Sequence, residues 1–301
     1  MSGTDGTGAP PRAILLATDL SCRCDRAFDR ALALSRAWNA RLVVLHVIEP
    51  QGFVADDRTA PSWRRPSDPV GHARRQLLAD IGPAIDRVEI MIAEGEPADE
   101  ILAAIATRGI DLVVTGVARD EPFGRFLLGT TVDRLVRRSP VPVLVVRNRA
   151  RKPYARIGVA TDFSDASLRT LETVASWLPD APLTILHASD PPLGGLSGDR
   201  DESERQALAG AASDYAAFLA RVAGGEAIGR RAKPVIMLGS PVEVLKDGVR
   251  DFDVDLLAIG AHGRSALFEL LIGSVARTVL AEADLGADVL VVREAPPAAP
   301  G

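Results

Sequence analysis

The 301-residue sequence predicts an α/β chain made of two tandem open parallel sheets, each five-stranded and flanked by helices. Three observations carry that reading. The two halves repeat one another segment by segment. Within each half, short apolar runs alternate with longer helical patterns. The apolar runs are nearly unbroken Val, Ile and Leu, as expected of strands buried on both faces of a parallel sheet.

The repeat comes first, because a duplicated unit fixes the architecture. AILLATDLS (13–21) returns as RIGVATDFS (156–164), and ARLVVLHVIEP (40–50) as APLTILHASDP (181–191). AEGEPADEIL (93–102) returns as MLGSPVEVL (237–245), and GIDLVVTG (109–116) as DVDLLAIG (253–260). LLGTTVDRLV (127–136) matches LIGSVARTVL (271–280), and VPVLVVR (141–147) matches ADVLVVR (287–293). Three glycine pairs, Gly95/Gly239, Gly116/Gly260 and Gly129/Gly273, are each 144 residues apart. In the first copy the strands fall near 14–17, 42–48, 88–93, 111–115 and 141–146. Helical stretches lie between them, such as 25–38 and 98–109, with apolar residues at three- and four-residue spacing. Pro97 and Gly109 stand at the start and end of the second, where helix termini favour them. Alternating strands and helices imply right-handed crossovers and a doubly wound sheet.

Between the copies, RNRARKPYAR (147–156) is a basic linker. It reads first as a solvated connector, with contact to phosphate backbones the alternative. Polar loops follow the second strand of each copy, at 50–70 and 190–205, as lids or as plain insertions.

Composition bounds the function. Hydrophobic residues are 47% and charged residues 25%, enough for a sizeable core. The net charge of -5 supplies no general attraction to nucleic acid or anionic membrane. The start is polar and unlike a secretory signal. No apolar run approaches the roughly 18 residues of a membrane helix. The two cysteines, Cys22 and Cys24, are spaced too closely for an easy disulfide and fit a reducing compartment. The expectation is a cytoplasmic protein with neither nucleic acid nor membrane as partner. Cys22 and Cys24 flank Arg23 at a helix start, which allows redox sensing and equally allows two small structural residues. His46 and His187 match each other but lie in separate copies, so structural roles outweigh a metal site.

The chemistry concentrates in GAHGRSALFELLIGS (260–274). Gly260 ends a strand, Gly263 follows after two residues, and Gly273 and Ser274 open a helix. Glycines let a backbone approach an anion, and free N–H groups at a helix start favour negative charge. The Ser274 hydroxyl adds a donor. Asp162, at the end of the first strand of the same copy, is an acceptor suited to ribose hydroxyls. No Walker lysine follows the loop, and no nucleophile–base set is assembled, so no catalytic residue is assigned.

Together ATDFS, LHASD, the GSP turn at 239–241 and G-x2-G-x9-G-S resemble the universal stress protein family, over residues 11–148 and 154–294. The resemblance implies an adenine nucleotide alpha hydrolase-like sheet of order 3-2-1-4-5, and ATP, with or without Mg, as cofactor. It places Ala160, Thr161 and Asp162 at adenine and ribose, and Ala188 in the adenine pocket. Gly260 would meet the ribose, and Gly263, Gly273, Ser274 and Val275 the phosphates, with His262 inside the loop. The first copy departs from the pattern in GVARDEPFGRFLLGT (116–130). Arg119 replaces the middle glycine, and Asp120 and Glu121 follow, so this copy reads as degenerate. Arg119 or Arg125 pairing with an anion, or a loop shifted around Gly124, is the alternative. Asp19, Val47, Gly116, Gly129 and Thr130 are its second-rank site residues. The implied role is a stress-response ATP-binding protein that signals rather than turns over substrate. The implied assembly is a pseudo-dimer within the chain, its last strands (VPVLVV and ADVLVV) pairing between the copies, with a homodimer as a further step. The alternatives are a non-nucleotide small-ligand, lipid-binding or interaction module, and a slow ATPase.

Overall fold

The computed structural model describes residues 8–22, 24–49, 68–82, 88–117, 119–120, 127–189, 200–261, 273–282 and 284–293. In chain order the first copy contains β1 (Ala13–Thr18), α1 (Asp25–Trp38), β2 (Arg41–Ile48), α2 (Pro69–Ile81), β3 (Val88–Glu94), α3 (Pro97–Arg108) and β4 (Leu112–Gly116). A short ribbon follows, β5 (Arg119–Asp120) with β6 (Leu127–Leu128), then α4 (Thr130–Arg138) and β7 (Val143–Val146). The second copy contains β8 (Ile157–Ala160), α5 (Asp165–Trp177), β9 (Leu183–Ser189), α6 (Arg200–Arg221), α7 (Gly225–Gly229) and β10 (Ala232–Leu238). It closes with α8 (Pro241–Asp251), β11 (Leu256–Gly260), α9 (Ser274–Ala281) and β12 (Asp288–Val292).

Local chemistry sets the helix ends. Glu96 accepts the Asp99 amide at the head of α3, and Pro97 occupies the first turn. Ser164 does the same for α5 and Ser240 for α8. The loop expected through residue 205 is shorter, because Arg200 already opens α6. Asp201 and Glu202 in its first turn complement the positive end of the helix dipole. The remainder of the two predicted loops, 50–67 and 190–199, lies outside the described residues.

Each copy is a parallel set in the order 3-2-1-4-5, β3-β2-β1-β4-β7 in the first and β10-β9-β8-β11-β12 in the second. The two sets join through β7 and β12, which pair antiparallel, with Leu144 opposite Leu290. The result is one ten-stranded sheet rather than two separate ones. Successive strand residues alternate between two cores that both run across the seam. Leu16, Leu144 and Leu290 face one; Leu15, Val145 and Val289 face the other. Each such side chain contributes about 1.5–3 kcal/mol on burial. Core packing therefore dominates the seam.

Matched residues make matched backbone contacts. Asp111 accepts the amides of Arg12 and Ala13, and Asp255 those of Ala155 and Arg156. Gly95 and Gly239 sit at φ 154° and 143°, where a side chain is strained. Their amides donate to Ile48 and Ser189 at the ends of β2 and β9, both at 3.1 Å.

Candidate functional site

The end of each strand set where its order reverses, between β8 and β11 or β1 and β4, is where α/β sheets open a crevice. In the second copy the structure brings Ala160, Thr161 and Asp162 there from the end of β8, Ala188 from β9 and Gly260 from β11. Gly273, Ser274 and Val275 arrive from the head of α9. The Gly273 amide donates to the Ala261 carbonyl at 2.8 Å, which ties the helix head to the strand end. His262 and Gly263 lie outside the described residues.

These residues are not equivalent in what they offer. Thr161 is buried. Its hydroxyl meets Ser167 Oγ at 2.9 Å and accepts the Phe163 amide. Its own amide donates to Leu186, and its carbonyl meets His187 Nδ1 at 2.9 Å. Thr161 therefore shapes the turn with its polar groups. Asp162 is half-buried, with Oδ1 accepting the Ser164 amide at 3.1 Å. Ala188 and Gly260 are half-buried and add little bulk.

The heads of α9 and α4 differ from those of α2, α3, α5 and α8. In the latter four, Asp68, Glu96, Ser164 and Ser240 each accept an amide of the first turn. At α9 and α4 the capping position is glycine, Gly273 and Gly129, with near-identical backbone angles and no side-chain cap. Their first-turn amides keep their capacity to donate. A donor set of backbone amides, framed by residues without bulk, fits a phosphate chain in chemistry.

Copy one repeats the strand ends, and in its sequence Arg119 stands where the second copy has Gly263. Residues 119–120 and 127–128 pair as an antiparallel ribbon, Arg119 with Leu128 and Asp120 with Leu127. Gly116 closes β4 and Gly129 heads α4, with Thr130 opening the helix. Asp19 accepts the Ser21 amide at 2.8 Å and the Cys24 thiol at 3.1 Å. Burial pushes the Cys24 thiol up to about 11, which keeps it protonated at neutral pH and opposes the redox-sensing reading. Residues 121–126, including Arg125, are outside the described set.

His46 Nδ1 meets the Thr18 carbonyl at 2.9 Å, the same contact that His187 makes with Thr161. Both histidines pin a second strand to a first. Among the described residues no three metal-ligating side chains gather, and no helix is long and apolar enough to cross a membrane.

A buried cluster at the seam escaped the motif search. Asp288 is fully buried and accepts the amides of Arg147 and Asn148 and the Tyr154 hydroxyl, at 2.6–2.8 Å. Arg30 lies 3.5 Å from it and stacks 3.9 Å over the Tyr154 ring. Burial, then the Asp288 charge, hold the Tyr154 hydroxyl well above its ordinary titration range. The signal was present in the repeat: Asp288 stands where the first copy has Pro142, at the head of an otherwise apolar strand.

Comparison with known proteins follows the same outline. A family model described as the universal stress protein family matches residues 11–147 and again 153–293. A curated relative described as a universal stress protein, from Thermus aquaticus, is 31% identical over 137 residues, spanning 45% of this chain and 98% of that protein. A putative universal stress protein from Staphylococcus saprophyticus is 28% identical over 156 residues, covering 50% of this chain and 92% of its own. At the level of fold, a crystal structure of a universal stress protein from Archaeoglobus fulgidus superposes over 94% of this chain and 98% of that one. Its TM-score is 0.65 and its identity 20%.

Proposed function

The chain belongs to the universal stress protein family, and from that premise we propose that its second copy holds ATP as a regulatory ligand. The observation that carries this reading is the head of α9. It lacks a side-chain cap and is tied through Gly273 to the end of β11, whose paired neighbour β8 leads directly into Asp162. Asp162 and Gly260 would meet the ribose, and Ala160 and Ala188 the base. The amides of Gly263, Ser274 and Val275 and the Ser274 hydroxyl would take the phosphates, with Mg where the phosphates recruit it. ATP supplies a charged, exchangeable group whose presence or loss alters this face. The chain's own groups bind and orient it. No assigned residue is identified as a general base, and we favour signalling through a partner or homodimer over turnover, in a cytoplasmic setting.

The test begins with denaturing the purified protein and assaying the supernatant for adenine nucleotide. ATP is then titrated into the wild type and Gly263→Glu. The carboxylate would lie in the phosphate path, and affinity should fall at least about tenfold. Equal affinity would overturn the assignment. One nucleotide per chain is expected, because Arg119, followed by Asp120 and Glu121, stands in copy one where the second copy has Gly263. Two per chain would overturn that part.

A further inference from the structure

Arg147 is the first residue beyond β7, in the first copy, yet its side chain acts on the second. The guanidinium donates through Nη1 to the Glu282 carbonyl and through Nη2 to the Leu280 carbonyl, at the carboxyl end of α9. The Arg147 amide donates to Asp288 Oδ1 at 2.7 Å, and its carbonyl accepts Nη1 of Arg26, from α1, at 2.6 Å. Asn148 adds a bond from Nδ2 to the Gly286 carbonyl at 2.6 Å, in the turn between α9 and β12. We infer that Arg147 is a positioning residue for the anion site at the opposite end of α9, so that the first copy sets the affinity of the second. The inference rests on the reading of the α9 head as a phosphate site, and adds the residue that aims it.

Helix α9 has eight residues, a span of about 12 Å, and a helix this short is marginal by itself. Ala276, Val279 and Leu280 bury its inner face. That burial is non-directional: it presses α9 onto the sheet without fixing where along its axis the first turn stands. Directional bonds do so at the two ends. At the head, the Gly273 amide is bonded to the Ala261 carbonyl. At the tail, one planar guanidinium spans two carbonyls, where a helix lacks partners of its own. Its charge also faces the negative end of the helix dipole. The Arg277–Asp133 and Lys246–Glu282 pairs, at 3.7 and 3.2 Å, touch the same helix and its cap. Their side chains are partly exposed, and such pairs contribute little. Amide donation weakens steeply as the N–H turns away from its acceptor. A tilt or slide of α9 therefore weakens every bond from its first turn to a bound phosphate at once.

The test titrates ATP into the full chain as wild type, Arg147→Met, Arg147→Lys and Leu144→Ala, with a denaturant melt of each. Arg147→Met keeps the stem and removes the fork, and ATP affinity should fall about fivefold. Arg147→Lys keeps the charge without the planar fork, and its affinity should fall between the two. Leu144 belongs to the core on the opposite face of the sheet from α9. Leu144→Ala thus loosens the seam without touching the helix, and should keep ATP affinity within about twofold however far stability drops. Unchanged affinity in Arg147→Met, full affinity in Arg147→Lys, or an equal loss in Leu144→Ala would each overturn the inference and leave the ATP reading standing. No ATP binding by the wild type would remove the ATP reading, and this inference with it.

Discussion

The two copies share their strand ends and differ in how the chain leaves them. Thr18 and Thr161 each accept the amide two residues on, and each carbonyl is met by a histidine from the neighbouring strand. From there the copies diverge. Helix α5 opens at Asp165, four residues past Thr161, while α1 opens at Asp25, seven past Thr18. In the second copy Ser164 caps the helix at once. In the first, Asp19 captures the Cys24 thiol, and the helix begins only after it. Contacts that hold backbone to backbone survive duplication, and side chains that face the crevice are free to change.

The strongest way to break this comparison is at its largest asymmetry, Asp288. The first copy has Pro142 there, so only one end of the seam carries a buried carboxylate. Asp288→Ala strands the Arg30 guanidinium and two linker amides, and should cost about 3–5 kcal/mol. Tyr154→Phe removes one donor and should cost about 1–3 kcal/mol. Denaturant melts of both read the difference. If the two variants lose equally little, the seam is held by its apolar pairs alone.

A smaller effect distinguishes the helix heads by pH. The Cys24 thiol has an ordinary value near 9 and rises to about 11 when folded. A raised folded value means its contribution is fully present below pH ~9 and is lost as pH climbs toward ~11. Wild-type stability should therefore fall by about 1 kcal/mol between pH 8 and pH 10 relative to Cys24→Ser. Parallel curves for the two proteins would show that the thiol is not held by burial.

Much of this was legible in the residues. Unbroken Val, Ile and Leu runs gave the strands, and Pro97 and Gly109 gave both ends of α3. The repeat fixed which elements share a position, and glycines at 129 and 273 marked two matching heads that lack a side-chain cap. What could not be read was set by contacts distant in sequence. Thr161 stands inside a motif yet turns its hydroxyl to Ser167. Asp288 acts on residues more than 130 positions earlier, among them Arg147 and Tyr154. The joining of the two sheets came from the family resemblance rather than from periodicity: it implied that the last strands pair between the copies, and β7 and β12 do meet edge to edge. Periodicity describes an element's own faces and says nothing of which foreign element covers them.

The finest test of the comparison uses one residue type in both copies. Ser21 and Ser164 occupy the same place in the repeat, yet only Ser164 caps a helix, accepting the Ser167 amide at 3.3 Å. The Ser21 hydroxyl is buried and has no hydrogen-bond partner among the described residues. Replacing a capping serine with alanine costs about 1 kcal/mol, so Ser164→Ala should destabilise by that amount. Removing a buried hydroxyl that bonds nothing costs no hydrogen bond and relieves its desolvation. Ser21→Ala should leave stability unchanged within ~0.5 kcal/mol or raise it slightly. Equal losses in the two melts would mean that both copies enter their first helix in the same way, and that the three-residue delay in α1 has no energetic basis in its cap.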